Sequence, residues 1–476
     1  MPQRGGLCSS IHSYSGRSVS VFKAYDVRGL VPEQLTTDIS RAIGAAYIDS
    51  LGCSSIVVGR DMRPSSKELF YAFAEGCTAR GASVIDIGLC STDAVYYASG
   101  AWNIPAAVFT ASHNPPEYNG IKFCRPGAQG IGYTTGLSDV EKISDKYLLK
   151  GIPHAETKGK VVKKSVGREY AEYICNLVGP LQKPLKVVID AGNGMAGKMV
   201  PIVMQSALTD IEILPLYFEL DGTFPNHEAN PFDPKNLVDL QHAVKETGAD
   251  IGLAFDGDAD RCVVIDEMSN PVTPSSIASI VVGRILKQYG NAKATIVHNL
   301  LVSRGFAESV ISRNSENRLV RTRVGHSFIK DIMHKTNALF GCEHSAHYYF
   351  RDFWGADNGM LAALYVMAEL CESPMPMSVL SRKYTPYFQS GETNYRVHNP
   401  DMTMSAIRQA FPGAYVEFLD GMTLYESVKD PGPERFWWLN VRKSNTEPLL
   451  RLNVEAQTED LMRLVRDKAV KIITGG

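Results

Sequence analysis

The sequence predicts a multidomain α/β protein whose sheets are mixed or parallel. Its 476 residues exceed what one hydrophobic core usually organises, so about three or four domains are expected. Three times along the chain, a short apolar strand is followed by a polar or glycine-containing turn, a helical pattern and a second apolar run. This order is the βαβ unit of sheets that are covered by helices. The paired runs are 56–59 with 83–85, 187–190 with 211–214, and 295–298 with 318–320.

The composition is that of a soluble globular protein, with 44% hydrophobic and 21% charged residues. The formal net charge of −2 argues against nonspecific affinity for nucleic acid, and no apolar stretch is long enough to span a bilayer. Residues 1–18 are polar, rich in Gly and Ser and without a signal-peptide core, so a loose N-terminal tail is expected. Nine cysteines without paired spacing suit a reducing cytoplasm.

A serine stands on a loop directly after the apolar run 106–109. The loop, residues 110–115, reads TASHNP, and a second proline follows it. The prolines remove backbone donors and favour extended geometry before them, so the strand must stop and Ser112 is expected to be presented rather than buried. Alone, this pattern is typical of an ordinary turn residue. Three further segments, far apart in the chain, supply what a phosphorylated serine would need.

An acidic loop separates two apolar strands. Asp256, Asp258 and Asp260 occupy alternate positions, and their mutual repulsion is relieved if the loop bends around a cation. Ligation by oxygen alone, with positions left for water and phosphate, suits Mg²⁺. A calcium EF-hand would require Gly where Arg261 stands and helices where strands are predicted. A solvated acidic turn is the non-functional alternative.

A polar loop near the C-terminus combines a guanidinium group, hydroxyls and an amide. Ser444 with Glu447 three residues later imitates a helix capping box, but the residues after 448 alternate with period two and predict a strand. The loop is better interpreted as a phosphate clamp, in which Arg442 donates two parallel hydrogen bonds and backbone N–H groups add more. An ordinary hairpin turn is the alternative.

The segment GCEHSAH at 341–347 offers side chains that suit a polyol. Glu343, Ser345 and His347 alternate, so on an extended segment they would project to one side with a carboxylate, a hydroxyl and an imidazole. Two histidines could instead bind zinc, but Cys and carboxylate ligands at zinc spacing are missing elsewhere.

Together these segments resemble the α-D-phosphohexomutase superfamily, most closely its bacterial phosphomannomutase/phosphoglucomutase branch. The resemblance extends from FKAYDVRG at 22–29 to the clamp loop, and four loops occur in the family's order. It implies that Ser112 is the phosphoserine and lies at the metal with Asp256, Asp258 and Asp260. The residues it places around the reacting phosphoryl group are Arg28, Lys122, Arg261 and His326. The substrate contacts it implies are Tyr25, Gly325, Glu343, Ser345, His347, Arg442, Ser444, Asn445 and Thr446.

The resemblance also implies the architecture: three related α/β domains with mixed sheets and a smaller C-terminal α+β domain around a central cleft. After the tail at 1–18 we expect a phosphoserine domain, a metal-binding domain, a sugar-binding domain and a clamp domain, at 19–160, 161–268, 269–385 and 386–476. Each chemical loop then belongs to a different domain, so rotation of the domains would open or close the cleft.

The implied activity is reversible phosphoryl transfer between C1 and C6 of a hexose phosphate, through a phosphoserine and a 1,6-bisphosphate. Mannose phosphate is the expected substrate, with glucose and glucosamine phosphates as alternatives. Mg²⁺ is the expected cofactor and hexose 1,6-bisphosphate the activator, while Lys122 and His326 are both candidates for the general base. The protein is expected to be cytoplasmic, a monomer or homodimer, with hexose phosphates as its partners and neither nucleic acid nor membrane among them.

Two rivals from other functional classes are tested by the same motifs. A noncatalytic sugar-phosphate sensor would have lost the serine or an Asp ligand, and neither is lost. A serine hydrolase would need elbow glycines on both sides of Ser112, and these are absent.

The segment 341–347, called the sugar loop below, departs from the family's pattern at two positions. Cys342 and Ala346 stand where glycines are common, and Ala346 adds a methyl group on the side where backbone approaches the ligand. A lysine that the family has near residues 298–300 has no counterpart here, and His298 and Asn299 are the candidates to replace it. The donors and acceptors of the loop itself are all present, so these departures bear on sugar preference.

Overall fold

One strand arrangement recurs in the first three of four β-sheets. The computed structural model describes residues 20–207, 211–426, 436–443 and 449–475, so the tail predicted at 1–18 lies outside the described residues. In each of the three sheets, one strand has a parallel neighbour on both sides, and the second of these neighbours pairs antiparallel with the following strand. The predicted βαβ units and the fold class of three related α/β domains with a smaller fourth one are confirmed.

The first sheet extends beyond the join that the sequence predicts at 160. Its strands are β1 Val27–Leu30, β2 Ser55–Arg60, β3 Ser83–Leu89, β4 Ala106–Phe109, β5 Tyr118–Arg125, β6 Gln129–Gly130 and β7 Val161–Lys163. The order is β1-β5-β4-β2-β3-β7, with β6 beside β5. The helices are α1 Thr37–Leu51, α2 Ser66–Ala79, α3 Thr92–Trp102 and α4 Leu137–Lys150. Because β7 pairs with β3 in parallel register, strand pairing places residues 161–163 in the first domain.

Helix α1 shows how local sequence fixes an element of this domain. The Thr36 side chain accepts a hydrogen bond from Ile39 N, which satisfies one of the free N–H groups at the N-terminus. Gly52 ends the helix in the left-handed conformation, with φ at +60°, and donates back to Ile48. Between these caps, the Tyr47 ring of α1 packs on the Phe123 ring of β5 with 4.6 Å between centroids, so the helix covers the sheet whose β4–β5 connection carries Ser112.

The second domain repeats the arrangement in a five-stranded sheet. Its strands are β8 Leu185–Asp190, β9 Ile211–Leu216, β10 Ile251–Phe255, β11 Cys262–Asp266 and β12 Pro271–Val272, in the order β12-β11-β10-β8-β9. The helices are α5 Gly167–Val178, α6 Ala196–Ser206 and α7 Val238–Thr247. Strand β12 pairs with β11, so this sheet also passes its predicted join, at 268. Short edge strands follow turns and carry a weak period-two signal, which is why the sequence did not show them.

The third domain again has five strands. They are β13 Thr295–Asn299, β14 Arg318–Thr322, β15 Phe340–Cys342, β16 Tyr348–Phe350 and β17 Ala356–Asp357, in the order β14-β13-β15-β16-β17. The helices are α8 Pro274–Gln288, α9 Arg304–Arg313, α10 His326–Thr336, α11 Gly359–Glu372 and α12 Met377–Arg382. Thr273 caps α8, and a proline follows it at the first helical position. This helix therefore begins where the second sheet ends.

The fourth domain is an antiparallel sheet with helices on it, as the α+β prediction requires. Its strands are β18 Phe388–Gln389, β19 Thr393–Arg396, β20 Tyr415–Glu417, β21 Met422–Tyr425, β22 Trp437–Lys443 and β23 Leu449–Ala456. The order is β18-β23-β22-β21-β20, with β19 also beside β23, and the helices are α13 Pro400–Ala410 and α14 Glu459–Thr474. The segment from 449 is a strand, as the alternation after 448 predicts.

A continuous apolar core joins the first three domains, whereas the fourth domain has its own core. Helices α3, α5 and α11, one from each of the first three domains, meet around Tyr170. The Tyr170 hydroxyl donates to Asp93 Oδ2 at 2.7 Å and lies 3.3 Å from Asn358 Oδ1. Separately, none of the helices in the described parts of the chain is long and apolar enough to cross a bilayer.

Asp93 provides a test of this three-domain contact. Burial raises the pKa of its carboxyl to about 7, although hydrogen bonds from Ser91 and Tyr170 act in the opposite direction. A raised pKa means that the carboxyl's contribution to stability is complete below the unfolded value of 3.8 and is lost as the pH rises toward 7. Asparagine supplies the neutral form at every pH, with an oxygen for Ser91 and Ala94 N and a donor for Tyr170.

We therefore expect Asp93→Asn to be more stable than the wild type at pH 8, by roughly 1–3 kcal/mol. The difference should shrink at pH 5, because the wild-type carboxyl is then protonated. Urea unfolding at both pH values measures the two differences. A difference that is independent of pH would show that Asp93 is not held in its neutral form.

Candidate active site

The chemical loops occupy equivalent places in the repeated sheets. Residues 110–117 join β4 to β5, residues 256–261 join β10 to β11, and residues 343–347 join β15 to β16. Each is the connection at which a parallel strand turns back antiparallel. The fourth loop joins β22 to β23, and its predicted clamp residues Ser444, Asn445 and Thr446 lie outside the described residues.

Ser112 is buried, which corrects the expectation that it is presented to solvent. Its residue is 1% exposed, because the acidic loop of the second domain packs over it: a Cβ on Gly257 would lie only 2.6 Å from the Ser112 carbonyl oxygen. The hydroxyl donates to Asp256 Oδ2 at 2.7 Å, and the backbone N–H donates to Thr110 Oγ1 at 2.9 Å. With φ at +51°, Ser112 has the left-handed backbone of a tight turn, which aims Oγ at the carboxylates.

Arg63, which the sequence analysis missed, fixes the backbone of the serine loop. Its guanidinium donates to four carbonyl oxygens of the segment 112–118, at distances from 2.5 to 3.0 Å. The side chain is fully buried beside Asp61, which lies 3.3 Å from Arg63 Nε. Burial lowers the pKa of this arginine, but the Asp61 carboxylate counteracts that effect. The available signal was the position of Asp61 and Arg63, just after the carboxyl end of a buried strand.

Three carboxylates form a candidate cation site. Oxygens of Asp256, Asp258 and Asp260 lie within 4.8 Å of one another, and all three residues are buried. Among the described residues, Asp258 Oδ1 and Asp260 Oδ1 have no hydrogen-bond partner. Unpaired buried carboxylate oxygens in an all-oxygen cluster fit a hard divalent cation. The strands predicted on either side of the loop are present, so the EF-hand alternative is excluded.

The pKa values in this cluster separate the carboxyl groups. Burial raises the pKa of Asp256 and Asp260, and repulsion from the neighbouring carboxylates adds to it. Burial acts in the same direction on Asp258, but Lys122 outweighs it and holds the pKa of Asp258 below its ordinary value. Thr92 also donates to Asp258, at 2.5 Å. Asp258 is therefore the carboxylate that is most firmly ionised.

Cations surround the carboxylates. Lys122 Nζ lies 2.6 Å from Asp258 Oδ2 and 2.5 Å from Asp260 Oδ2. Burial lowers the pKa of Lys122, but these carboxylates outweigh burial and hold it above the ordinary value. Arg261 Nε lies 3.6 Å from Asp256 Oδ2 and 3.8 Å from Asp260 Oδ1. The site therefore balances three acidic groups with two basic ones before a phosphate arrives.

Arg28 approaches the serine loop from the first strand. Its Nη1 donates to the Ala111 carbonyl oxygen at 3.0 Å and to Asn114 Oδ1 at 2.5 Å, and its Nη2 donates to Asp26. These contacts place the Arg28 guanidinium beside the residue that directly precedes Ser112.

The N-terminus of α10 joins the other predicted residues. The Gly325 N–H donates to Glu343 Oε1 at 2.9 Å, and a Cβ on Gly325 would lie 2.6 Å from the Tyr25 hydroxyl. The Tyr25 ring meets the His326 ring edge-on, with 5.1 Å between centroids. Burial lowers the pKa of His326 to about 3, with Lys330 adding to the shift, so its imidazole is neutral at neutral pH. Glu343, also buried, has a raised pKa.

The sugar loop is a turn, which corrects the expected extended segment. Residues 344–346 reverse the chain between β15 and β16, and Ala346 has φ at +55° where the family commonly has glycine. The turn still gathers the predicted side chains: the Ser345 hydroxyl lies 3.0 Å from His347 Nδ1 and 3.3 Å from Glu343 Oε2. Convergence thus comes from chain reversal rather than from strand alternation.

The sugar loop, residues 341–347, is hydrogen-bonded to the acidic loop, residues 256–261. Arg261 Nε donates to His347 Nε2 at 3.1 Å, so His347 keeps its proton on Nδ1, beside Ser345. His347, Asp260 and Asp357 also offer ligand atoms within 4.8 Å of one another. The polar side chains of these two loops therefore form one continuous site.

Comparison with known proteins decides the family. Models of the phosphoglucomutase/phosphomannomutase family match this chain as α/β/α domain I at 19–147, domain II at 168–269, domain III at 273–387 and the C-terminal domain at 392–472. The chain belongs to the phosphoglucomutase/phosphomannomutase family. The resemblance drawn from its motifs is confirmed.

Relatives share this family over almost their whole length. The chain is 34% identical to a phosphomannomutase of Escherichia coli, over 94% of this chain and 99% of that protein. It is also 34% identical to the phosphohexose mutases of Xanthomonas campestris pv. campestris, over 96% of this chain and 100% of that protein. A solved phosphoglucomutase/phosphomannomutase family protein of Burkholderia thailandensis superposes with a TM-score of 0.82 and 29% identity, covering 96% and 98% of the two chains.

Proposed function

We propose that this protein interconverts hexose 1-phosphates and hexose 6-phosphates by passing a phosphoryl group through Ser112. The observation that supports this proposal is the position of the Ser112 hydroxyl, which lies 2.7 Å from Asp256 Oδ2 at the edge of the carboxylate cluster. A phosphate on this oxygen would lie between an acidic cation site and the basic side chains of Lys122, Arg261 and Arg28. This is the charge arrangement that phosphoryl transfer requires.

The reaction conserves the number and kind of bonds. In the first half, the bond between Ser112 Oγ and phosphorus breaks while a free hydroxyl oxygen of the hexose monophosphate bonds to phosphorus. The hydroxyl proton passes to a base, for which Lys122 and His326 are the candidates. The His326 imidazole is neutral and able to accept it, whereas Asp258 and Asp260 hold Lys122 in its protonated form. Ser112 Oγ takes up a proton as its bond to phosphorus breaks. The bisphosphate then turns around and returns its other phosphate to Ser112 by the reverse exchange, so the enzyme is regenerated and the reaction is reversible.

We propose Mg²⁺ as the cation and Asp256, Asp258, Asp260 and the Ser112 oxygen or its phosphate as the groups that would hold it. When bound, the cation would neutralise negative charge on the phosphoryl oxygens. Hexose 1,6-bisphosphate would act as activator, because it can phosphorylate Ser112 of an enzyme that has lost its phosphate.

Mannose phosphate is the proposed substrate, because the name phosphomannomutase belongs to relatives that match nearly the full chain. Glu343 and Ser345 would hold hydroxyls of the ring, and Arg442 would bind the phosphate that does not react. The same clamp must accept phosphate at C1 and at C6 in turn, so it should contact phosphate and not the ring. Because the clamp would not distinguish the sugars, glucose and glucosamine phosphates are to be assayed beside mannose phosphate.

The function is tested by following conversion of mannose 1-phosphate to mannose 6-phosphate with Mg²⁺ and a trace of hexose 1,6-bisphosphate. Glucose 1-phosphate and glucosamine 1-phosphate are run under identical conditions. The proposal expects turnover, with the highest kcat/KM on mannose 1-phosphate. Turnover of glucosamine 1-phosphate alone would overturn the substrate assignment, and no turnover of any of the three would overturn the function.

Arg442→Ala should mainly weaken substrate binding. We expect KM for mannose 1-phosphate to rise by roughly tenfold or more, with kcat changed less, because the lost contact is to the phosphate that does not react. Arg463→Ala on α14, which removes an exposed arginine of the same domain, is the control and should leave both constants unchanged. An unchanged KM in Arg442→Ala would show that this arginine does not bind substrate.

We propose a cytoplasmic location on the basis of the thiols. All eight cysteines among the described residues are free, and most are buried. Free thiols persist in a reducing compartment.

A further inference from the structure

Glu392 lies where the clamp strands meet the sugar loop. It directly precedes β19, and its side chain is 21% exposed. Its Oε2 accepts hydrogen bonds from Arg442 Nη2 at 2.5 Å and Asn453 Nδ2 at 3.2 Å, while its Oε1 accepts from Arg451 Nη1 at 3.0 Å. One carboxylate therefore binds three donors on the two strands that flank the clamp loop.

The two arginines need such a partner. Arg442 on β22 and Arg451 on β23 are directly opposite each other in the register of the sheet. Like charges in facing positions repel, and Glu392 neutralises this pair by bridging it. None of residues 20–207, 211–426, 436–443 and 449–475 accepts a hydrogen bond from Arg442 Nε. Glu392 therefore orients Arg442 through Nη2, whereas the Nε of Arg442 is buried.

His344 extends this network across the domain boundary. The Leu301 N–H donates to Asn299 Oδ1 at 3.1 Å, which fixes the amide so that its Nδ2 faces His344 Nδ1 at 3.0 Å. His344 Nδ1 must then accept, and the proton of the neutral ring is on Nε2. His344 Nε2 lies 3.6 Å from Glu392 Oε2, so the N–H of a third-domain residue faces the carboxylate of a fourth-domain residue.

The two ends of the network bind different parts of the proposed substrate. His344 stands between Glu343 and Ser345, the proposed sugar contacts, and Arg442 is the proposed phosphate contact. We propose that Glu392 and His344 are positioning residues that couple the sugar loop to the phosphate clamp, so that Arg442 is held in place only when the loop is in its binding position. This inference rests on the proposed function.

Single substitutions should affect binding more than chemistry. We expect Glu392→Gln to raise KM for mannose 1-phosphate by about tenfold and to lower kcat less than about threefold, because a neutral amide binds two arginines weakly. His344→Ala should raise KM by about fivefold, because Glu392 then loses its partner across the boundary. The inhibition constant of inorganic phosphate, which probes the clamp without the sugar, should rise with KM in Glu392→Gln.

The double variant separates coupling from independent damage. If His344 acts through Glu392, then Glu392→Gln combined with His344→Ala should have the KM of Glu392→Gln alone, within about twofold. Glu459→Gln on α14, in the same domain, is the matched control and should leave KM, kcat and phosphate inhibition unchanged. Multiplication of the two single effects in the double variant would overturn the coupling, as would an unchanged KM in Glu392→Gln.

The assay also separates failure of this inference from failure of the proposed function. Wild-type turnover of hexose phosphate and a raised KM in Arg442→Ala are established first. If both hold while Glu392→Gln and His344→Ala behave as wild type, only the coupling is wrong. If Arg442→Ala and the wild type both lack turnover, the function itself is wrong.

Discussion

Ser112→Ala is expected to abolish the phosphoenzyme and to lower kcat by roughly a thousandfold or more. Among the described residues of the site, only Ser112 has a left-handed backbone and also places a side-chain hydroxyl 2.7 Å from a carboxylate of the cluster. Without the hydroxyl there is no acceptor for the phosphoryl group, whereas the residues proposed to bind the sugar and its other phosphate are unaffected. Intact-mass measurement reports the phosphate, and the coupled assay reports turnover.

Ser312→Ala is the control for this substitution. Ser312 is a serine of α9 whose hydroxyl donates only within its own helix, to the Ser309 carbonyl oxygen. It should retain wild-type phosphorylation and rates. Wild-type turnover in Ser112→Ala would mean that another group carries the phosphate.

Asp258→Asn is expected to cost roughly a hundredfold or more in kcat and to weaken Mg²⁺ binding. The substitution removes the carboxylate whose pKa Lys122 holds lowest, so the cluster loses its most firmly ionised ligand. Calorimetry with MgCl₂ measures the binding, and the rate as a function of Mg²⁺ concentration measures the catalytic effect. Chelation of divalent cations from the wild type should produce a comparable loss, reversed by added Mg²⁺.

Asp239→Asn serves as the control in the same domain. Asp239 lies on α7, is exposed and accepts a hydrogen bond from Tyr217, whereas the three aspartates of the acidic loop are buried. It should bind Mg²⁺ and turn over as the wild type does. If Asp258→Asn kept full affinity for Mg²⁺, the three carboxylates would not be the cation site.

Local sequence predicts the acidic loop well because its determinants are local. Three alternate aspartates between apolar runs specify two strands and a sharp connection, and the structure has β10, the loop and β11 in that order. The same holds for the parallel strand pairs, since each βαβ unit is contained in one short stretch of chain. Hydrophobic periodicity and composition are enough to predict an element when the contacts that determine it are near in sequence.

The burial of Ser112 depends on contacts that are far apart in sequence. Gly257 covers the serine loop from another domain, and Arg63 binds its carbonyl groups from the preceding βαβ unit. Neither contact leaves a periodic signal in the sequence around 112. A turn sequence predicts that a strand stops, but it does not predict which domain packs on the turn.

Glu392 and the sugar-loop turn were missed for related reasons. Alternation of Glu343, Ser345 and His347 is compatible with both a strand and a tight turn, and pairing of β15 with β16 decides for the turn. Glu392 has no motif of its own, because its partners are supplied by two later strands and by the third domain. Tertiary pairing overrides local pattern at both sites.

The repeated sheet explains why the loops of the first three domains, which differ in composition, meet. In the first three domains the chain reverses after the third strand of the parallel set, and each reversal carries one part of the site. The fourth sheet adds Arg442 at the end of β22, which is held by Glu392. The functional side chains therefore differ from domain to domain, whereas the strand arrangement that positions them is the same in the first three domains.

The central claim is that the phosphate on Ser112 is the one transferred to the sugar. Its most direct test is a single-turnover experiment in which enzyme carrying labelled phosphate on Ser112 is mixed with unlabelled mannose 1-phosphate and quenched over time. The account predicts that label leaves the Ser112 peptide and appears in hexose 1,6-bisphosphate and then in mannose 6-phosphate. Label that stays on Ser112 while mannose 6-phosphate accumulates would contradict it.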